Sequence, residues 1–381
     1  MSFPILVALH TGSKTGYAIA PLERAFFQMA QHLVEDDTKI HFAYRNLERG
    51  RPDTLPENFH NIVSLDIRDR SRVELGRVES YVRSHGIRTV FAFDAPVALP
   101  SYGPMRKAGV QRIISYQGAP MSSIFPRWKL ALKKLEVRLQ RHRPDHYIFE
   151  SEAMRATAVE GRGISRDDTS VVYLGADTNR FAPRARGYAH AQFGIPGSRL
   201  LVVFSGHMEP RKGVHVLIES FVELVDRRGR ENVHLLVLGN QPGQERAFEN
   251  LYVGSKAEGH ITFGGYRNDV ADIFGSADLG AIASTGWDSF TMSSVEMALS
   301  GLPLLVSNLQ GLAETVDDGV TGYTFPPGDA RRLADLIELF TDNPNLRCKM
   351  GRAARRRAVE RHSVETQVAE LAKLVRAVCA D

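Results

Sequence analysis

Two carboxylates stand eight residues apart in the stretch GWDSFTMSSVEMALSGLP, residues 286–303: Asp288 and Glu296. Small and hydroxyl residues lie between them, and an apolar run ending in Gly-Leu-Pro follows. An ionised carboxylate offers several acceptor positions. One acid ahead of a helix and one inside its first turns can therefore address two parts of one hydroxyl-rich ligand. A helix starting near Phe290, Thr291 and Met292 would add free amide donors and the positive end of its dipole, a seat for an anion. The plainer alternative is that Asp288, Ser293 or Ser294 caps the helix and Glu296 lies on its wet face.

Four further stretches place glycine where an apolar run ends, most of them with charge beside it. SGHMEPRKGVHVLIESF, residues 205–221, opens at Gly206 and carries His207, then Arg211 and Lys212 just before a helix start. Two cations beside a helix N-terminus suit a diphosphate; a solvated charge pair at a turn is the alternative. VLGNQPG (237–243) and TFGGYRND (262–269) are glycine turns in which Gly239 and Gly265 would let backbone reach a flat ligand, with Tyr266 and Arg267 placed to pack on a base. HTGSKTGYA (10–18) lets backbone approach a ligand at Gly12 and Gly16, but it has neither the dinucleotide fingerprint nor the frame of a P-loop. A plain turn fits it equally well.

The elements that must position these residues follow one rhythm. Short apolar runs such as ILVALH, RTVFAFD and RIISYQG alternate with amphipathic stretches, which predicts parallel sheets covered on both faces. At 178–199 the rhythm breaks in an Arg-, Gly-, Ala- and Pro-rich stretch that reads as an interdomain connection, and then it restarts with LLVVFSG. A chain of 381 residues suits two domains. Two doubly wound domains place ligands beyond the carboxyl ends of strands, which is where all five stretches lie. The net charge of +4 gives nucleic acid no priority as a partner, and two cysteines without metal-ligand spacing fit a reducing cytoplasm. No apolar run reaches the roughly 20 residues that span a bilayer. The N-terminal apolar run reads as a first strand rather than a leader.

Taken in order, FSGHMEPRKGVHVLIESF, DSFTMSSVEMALSGLPLLVS and GLAETVDDGVTGYTF resemble the retaining glycosyltransferases of family 4, the glycosyl transferases group 1. The shared features are an acid, seven residues and a Glu (Asp288, Glu296), then G-x-P at Gly301 and Pro303, Gly-x-x-Glu at Gly311 and Glu314, and D-G-x-x-G at Asp318, Gly319 and Gly322. The resemblance implies a GT-B fold, α/β with two Rossmann-like domains facing a cleft. The N-terminal, acceptor-side domain would span 1–185, the nucleotide-sugar domain 195–359, and a C-terminal helix from about 360 would return to the first. It implies transfer of a hexosyl unit from an NDP-sugar, UDP favoured, to a hydroxyl with retention of configuration. In the implied roles Lys212, with Arg211 beside it, meets the donor diphosphate, Glu296 holds the ribose and Asp288 meets the transferred sugar. The amides of Phe290, Thr291 and Met292 face sugar and phosphate, Gly16 approaches from the first domain, and Tyr266 and Arg267 lie at the level of the base.

Three positions depart from the family pattern. His207 stands where Arg often follows the glycine, Asp288 replaces Glu, and Gln117 in SYQGAPMSS takes the place of a first-domain His near the reacting sugar. Gln does not titrate, but the leaving diphosphate can take the acceptor proton itself. The protein's task is then positioning and charge stabilisation by Lys212 and Arg211, with no cofactor or metal expected. The EDD at 35–37 reads as a surface turn. The acceptor is expected to be a glycan or glycolipid, or a small molecule such as an aminocyclitol. WKLALKKLEVRLQRHR, 128–143, forms one apolar stripe among cations. Packing on the first sheet with a solvated basic face is the favoured expectation, and weak peripheral contact with anionic lipid at the inner membrane face is the other. Two readings compete with transfer: a nucleotide-sugar epimerase of similar fold, and a binding protein that has lost catalysis.

Overall fold

The computed structural model describes residues 3–16, 19–121 and 126–380. Tyr17 and Ala18 of the first glycine stretch, and Ser122 and Ser123 after Gln117, lie outside the described residues. The chain divides into two compact units, Met1–Tyr173 with Glu365–Asp381, and Leu174–Val364.

In the first unit β1 (Ile5–Leu9), β2 (Ile40–Tyr44), β3 (Ile62–Ser64), β4 (Thr89–Phe93), β5 (Arg112–Gln117), β6 (His146–Phe149) and β7 (Thr169–Val171) form one sheet in the order β3-β2-β1-β4-β5-β6-β7. Every pairing is parallel. All residues of β1, β2 and β4 are buried, as strands covered on both faces require. Phe26 packs edge-on against Phe91 and Tyr116 over this sheet.

In the second unit β8 (Leu200–Ser205), β9 (Val233–Leu238), β10 (Ile261–Gly265), β11 (Leu279–Ile282), β12 (Leu304–Ser307) and β13 (Gly322–Phe325) run in the order β10-β9-β8-β11-β12-β13, again all parallel. Each sheet reverses its winding once, between β1 and β4 in the first unit and between β8 and β11 in the second. The crevice for a ligand in such sheets lies beyond the carboxyl ends at that reversal.

The stretch expected to connect the domains is folded onto the second unit instead. Ala176 N donates to His362 O at 3.0 Å, Val364 N to Ala176 O at 3.1 Å, and Arg184 N to Gly275 O at 2.8 Å. A helix at Tyr188–Phe193 follows, with Ala189 N on Ser276 Oγ at 3.1 Å. Glycine, proline and arginine here serve close packing and carbonyl contacts rather than freedom. The long C-terminal helical stretch is two helices, Pro344–Arg361 and Val364–Ala380. Within the first unit Arg112 Nε donates to Val378 O at 2.8 Å.

Candidate active site

The second unit's reversal point brings two of the predicted charges into contact. Lys212 ends the short turn after β8, and Asp288 lies in the loop after β11. Lys212 Nζ stands 2.8 Å from Asp288 Oδ1 and 3.0 Å from Oδ2. Ser284 Oγ donates to Asp288 Oδ2 at 2.6 Å, and Arg211 Nη1 lies 3.8 Å from Oδ1. Only 5% of the Asp288 side chain and 16% of that of Lys212 are exposed.

The two loops meet because one residue between them has no Cβ. Gly213 has φ +71°, and a Cβ there would sit 1.7 Å from Ala283 O. Backbone bonds then lock the approach, with Thr285 N on Arg211 O at 2.8 Å and Gly286 N on the same oxygen at 3.3 Å. Arg211 is fixed in turn: Nε donates to Glu209 at 2.6 Å and Nη1 to Trp287 O at 2.9 Å. A second close approach joins the β8 and β9 loops. Gly239, φ +100°, lies so near Gly206 that a Cβ would stand 2.3 Å from Gly206 O. From the far side Gln310, at φ +35°, sets Oε1 3.5 Å from Asp288 N.

Asp288 is therefore no helix cap. The helix after this loop, Met292–Leu299, has Thr291 at its N-cap, whose side chain makes no capping bond among the described residues. The Thr291 hydroxyl donates to Ser294 Oγ at 2.9 Å, and Ser294 Oγ donates back to Thr291 O at 2.7 Å, so both hydroxyls leave the first-turn amides of Met292 and its neighbours uncapped by side chains. Phe290 turns its ring into the core, 5.0 Å from His362. Glu296 is buried, 4% exposed, which rules out a wet helix face.

The other predicted residues of the second unit make contacts of their own. His207 is exposed, with Nδ1 4.0 Å from Glu209. Tyr266 is 66% exposed after β10. Arg267 is held by Asp269 at 2.7 and 2.6 Å and lies over the Phe193 ring. Those bonds to Arg267, with the Tyr188 hydroxyl at 2.8 Å, hold the Asp269 carboxyl down at about 2. Arg267 so positioned braces the β10 loop.

Gly16 and Gln117 belong to the first unit. Gly16, φ +113°, opens the Ala20–Leu33 helix, its carbonyl accepting from Ile19 N and Ala20 N at 3.2 Å. Gln117, 5% exposed, donates through Nε2 to Ala95 O at 2.8 Å and Ser115 Oγ at 2.6 Å. Its amide is a strut at the end of β5.

The titratable groups near Gln117 were not anticipated. Asp94, just past β4, adopts φ +51° and accepts Gly118 N at 2.7 Å. His10, just past β1, sets Nδ1 3.1 Å from Phe93 O, so these two flank the first unit's reversal point. Burial raises the Asp94 carboxyl and lowers the His10 imidazole. Glu150, just past β6 and 4% exposed, is pushed up to about 8 by burial and by the Asp94 charge. The signal that would have found the two acids is a carboxylate directly after an apolar run, FAFD and YIFE.

Residues 186–357 match the family described as glycosyl transferases group 1. The D-inositol 3-phosphate glycosyltransferase of Streptomyces avermitilis is 32% identical over 202 residues, which are 51% of this chain and 43% of that protein. The same enzyme of Streptomyces scabiei is 30% identical over 226 residues, 56% of this chain and 50% of that protein. The chain thus spans half or less of the length of these curated relatives. Among solved structures, Anabaena HepE in complex with UDP superposes with a TM-score of 0.79 at 19% identity, covering 98% of this chain and 100% of HepE. A glycosyltransferase from Rickettsia africae superposes with a TM-score of 0.81 at 14% identity, covering 100% of this chain and 99% of that one. The match to the glycosyl transferases group 1 thus covers nearly the whole second unit, with its cation–carboxylate pair at the winding reversal, and the chain is built as two parallel-sheet domains of the GT-B fold.

Proposed function

We propose that this chain is a retaining glycosyltransferase that moves a hexosyl unit from a nucleoside-diphosphate sugar, UDP favoured, to a hydroxyl of a glycan, glycolipid or small cyclitol-like acceptor. The observation that carries the reading is the Lys212–Asp288 pair at the winding reversal, with the uncapped Met292–Leu299 helix start in the same loop. Lys212 and Arg211 meet the diphosphate, and the helix start adds amide donors. Asp288 holds Lys212 before the donor arrives and shares its carboxylate with sugar hydroxyls afterwards; Glu296 takes the ribose.

In the transfer the bond from the anomeric carbon to the diphosphate oxygen breaks. The acceptor oxygen bonds that carbon from the same face, and the acceptor proton passes to the leaving diphosphate. Charge on that diphosphate is offset by Lys212 and Arg211, so the reaction needs no metal on this reading. Support for UDP comes from the HepE complexes with UDP and with UDP-glucose. Support for a cyclitol acceptor comes from the names of the inositol-phosphate relatives.

The test is a thermal-shift screen of nucleotide sugars, since a ligand that binds the folded state raises its melting temperature. Product analysis with and without EDTA follows, using the best donor and an inositol phosphate or glycan acceptor. Glycoside with retained configuration, unaffected by EDTA, is the expected result. Epimerised donor would replace the reading with an epimerase, and donor binding without glycoside or hydrolysis would replace it with a binding protein.

A further inference from the structure

The helix Arg127–Leu139 in the first unit is turned opposite to the packing its sequence favours. Trp128 is 63% exposed, Leu132 57%, Leu135 50% and Leu139 74%. These four fall within about 60° of one another around the helix. The other large exposed apolar residues, such as Val73, Val253 and Val320, are scattered along the chain, so this is a contiguous stripe of the kind that marks an interaction surface. The helix is anchored through another side. Val137 is buried, Lys133 pairs with Glu136 at 2.7 Å, Arg162 reaches Glu136 at 3.5 Å, and the Lys134 stem lies against Gly163.

Those contacts consume the helix's one acid. Lys129, Lys134 and Arg138 make no ion pair among the described residues, and they flank the stripe on both sides. Lys129 Nζ lies 5.4 Å from the Trp128 ring centre, alongside the stripe. A second copy of this chain, docked by two-fold symmetry, would bring the same cations against these. A zwitterionic or neutral surface would leave them unused.

We propose that this helix lies in the plane of an anionic lipid surface. Trp128, Leu132, Leu135 and Leu139 enter the acyl boundary, and Lys129, Lys134 and Arg138 meet the headgroups. A tryptophan at one end and lysines along the flanks suit the level of the headgroups. At about 1.5 Å per residue the helix is about 20 Å long, enough for a flat contact and too short for a span. No helix among the described residues is long and apolar enough to cross a membrane. The inference stands independently of the donor-site reading.

The experiment is flotation of the full chain with large vesicles of phosphatidylcholine alone, and of phosphatidylcholine with equal phosphatidylglycerol, at low and high salt. Flotation with the anionic vesicles only, weakened by salt, is expected. Leu132→Glu with Leu139→Glu should reduce the floated fraction at least tenfold. Lys134→Glu with Arg138→Glu should do the same while leaving the thermal melt unchanged. Absence of flotation with anionic vesicles overturns the proposal, as does flotation that the Leu132→Glu/Leu139→Glu variant leaves intact. A dimer in sedimentation velocity that this variant dissociates would assign the stripe to a second copy instead.

Discussion

Replacing Lys212 by Met and Asp288 by Asn, singly and together, separates the pair's role in the empty site from its role with a ligand. At the observed 2.8 Å an effective dielectric of 20 gives an attraction of about 6 kcal/mol, most of it offset by the desolvation of two nearly buried charges. The pair as a whole is therefore close to neutral for stability, whereas half of it is costly. Asp288→Asn leaves an ammonium facing a carbonyl, a cost of about 3 kcal/mol. Lys212→Met leaves a carboxylate that keeps the Ser284 hydroxyl and has Arg211 at 3.8 Å, a cost of about 2 kcal/mol. The double variant should lose no more than about 1 kcal/mol, less than either single variant, a coupling of about 4 kcal/mol. Unfolding of the second unit can be followed by Trp287 fluorescence in a Trp128→Phe background, because these are the chain's two tryptophans. Calorimetry with UDP supplies the other half of the test. Lys212→Met should weaken UDP binding about 10–100-fold, the worth of a charge-assisted bond to phosphate. Asp288→Asn should stay within about threefold of the parent, because it frees Lys212 for the phosphate. Additive stability losses would refute the pairing, and unchanged UDP affinity in Lys212→Met would refute the diphosphate role.

Two further outcomes follow from the loops and from the first unit. Gly213→Ala should destabilise the second unit by more than about 2 kcal/mol and weaken UDP binding, since a Cβ 1.7 Å from Ala283 O forces the β8 and β11 loops apart; a urea midpoint equal to the parent's would count against the close approach. Glu150, held at about 8 against an ordinary 4.5, binds a proton in the folded chain that it releases on unfolding. Stability should therefore fall as pH rises from about 4.5 to 8, with a slope approaching about 1.4 kcal/mol per pH unit from this group. Asp94, also raised, acts in the same direction, and His10 and Arg68 face Asp94. Glu150→Gln should flatten that slope in urea melts at pH 6 and pH 8; an unchanged slope would show that the proton is held elsewhere.

How much of this was legible beforehand differs by layer. The parallel sheets were legible because strands buried on both faces read as unbroken apolar runs, as ILVAL and TVFAF do. The loops after β8 and β11 were legible through motif spacing. That Lys212 and Asp288 touch was not, because their contact depends on Gly213 approaching Ala283 across 70 residues of chain. The capping alternative fails for a similar reason. A serine or aspartate before a helix fits a cap by type, and here Ser294 bonds Thr291 while Asp288 is taken by a lysine. In the 178–199 stretch, composition resembled a linker because glycine and proline serve tight packing as readily as looseness. The Arg127–Leu139 helix shows the limit of periodicity: the pattern finds the stripe but does not say whether protein or something else covers it.

The first unit sharpens the question of what stands where the resemblance implies a titrating histidine. Gln117 cannot move a proton, and its amide hydrogens are committed to Ala95 O and Ser115 Oγ. What Gln117 does is hold the end of β5 where Gly118 N reaches Asp94, 2.7 Å away. Asp94 is thereby fixed in a left-handed conformation that costs a non-glycine residue about 1 kcal/mol or more, beside the winding reversal of its own sheet. Strain of that kind, kept at a strand end with a buried carboxyl beside an imidazole of lowered basicity, makes Asp94 a candidate for binding as well as for packing. The acid that the chain lacks at position 117 is present one strand away. The variant Asp94→Asn, which keeps the Gly118 contact and removes the charge, distinguishes the two roles. An acceptor role predicts a raised KM for acceptor with UDP affinity unchanged, and a purely structural role predicts a lower melting temperature with KM unchanged.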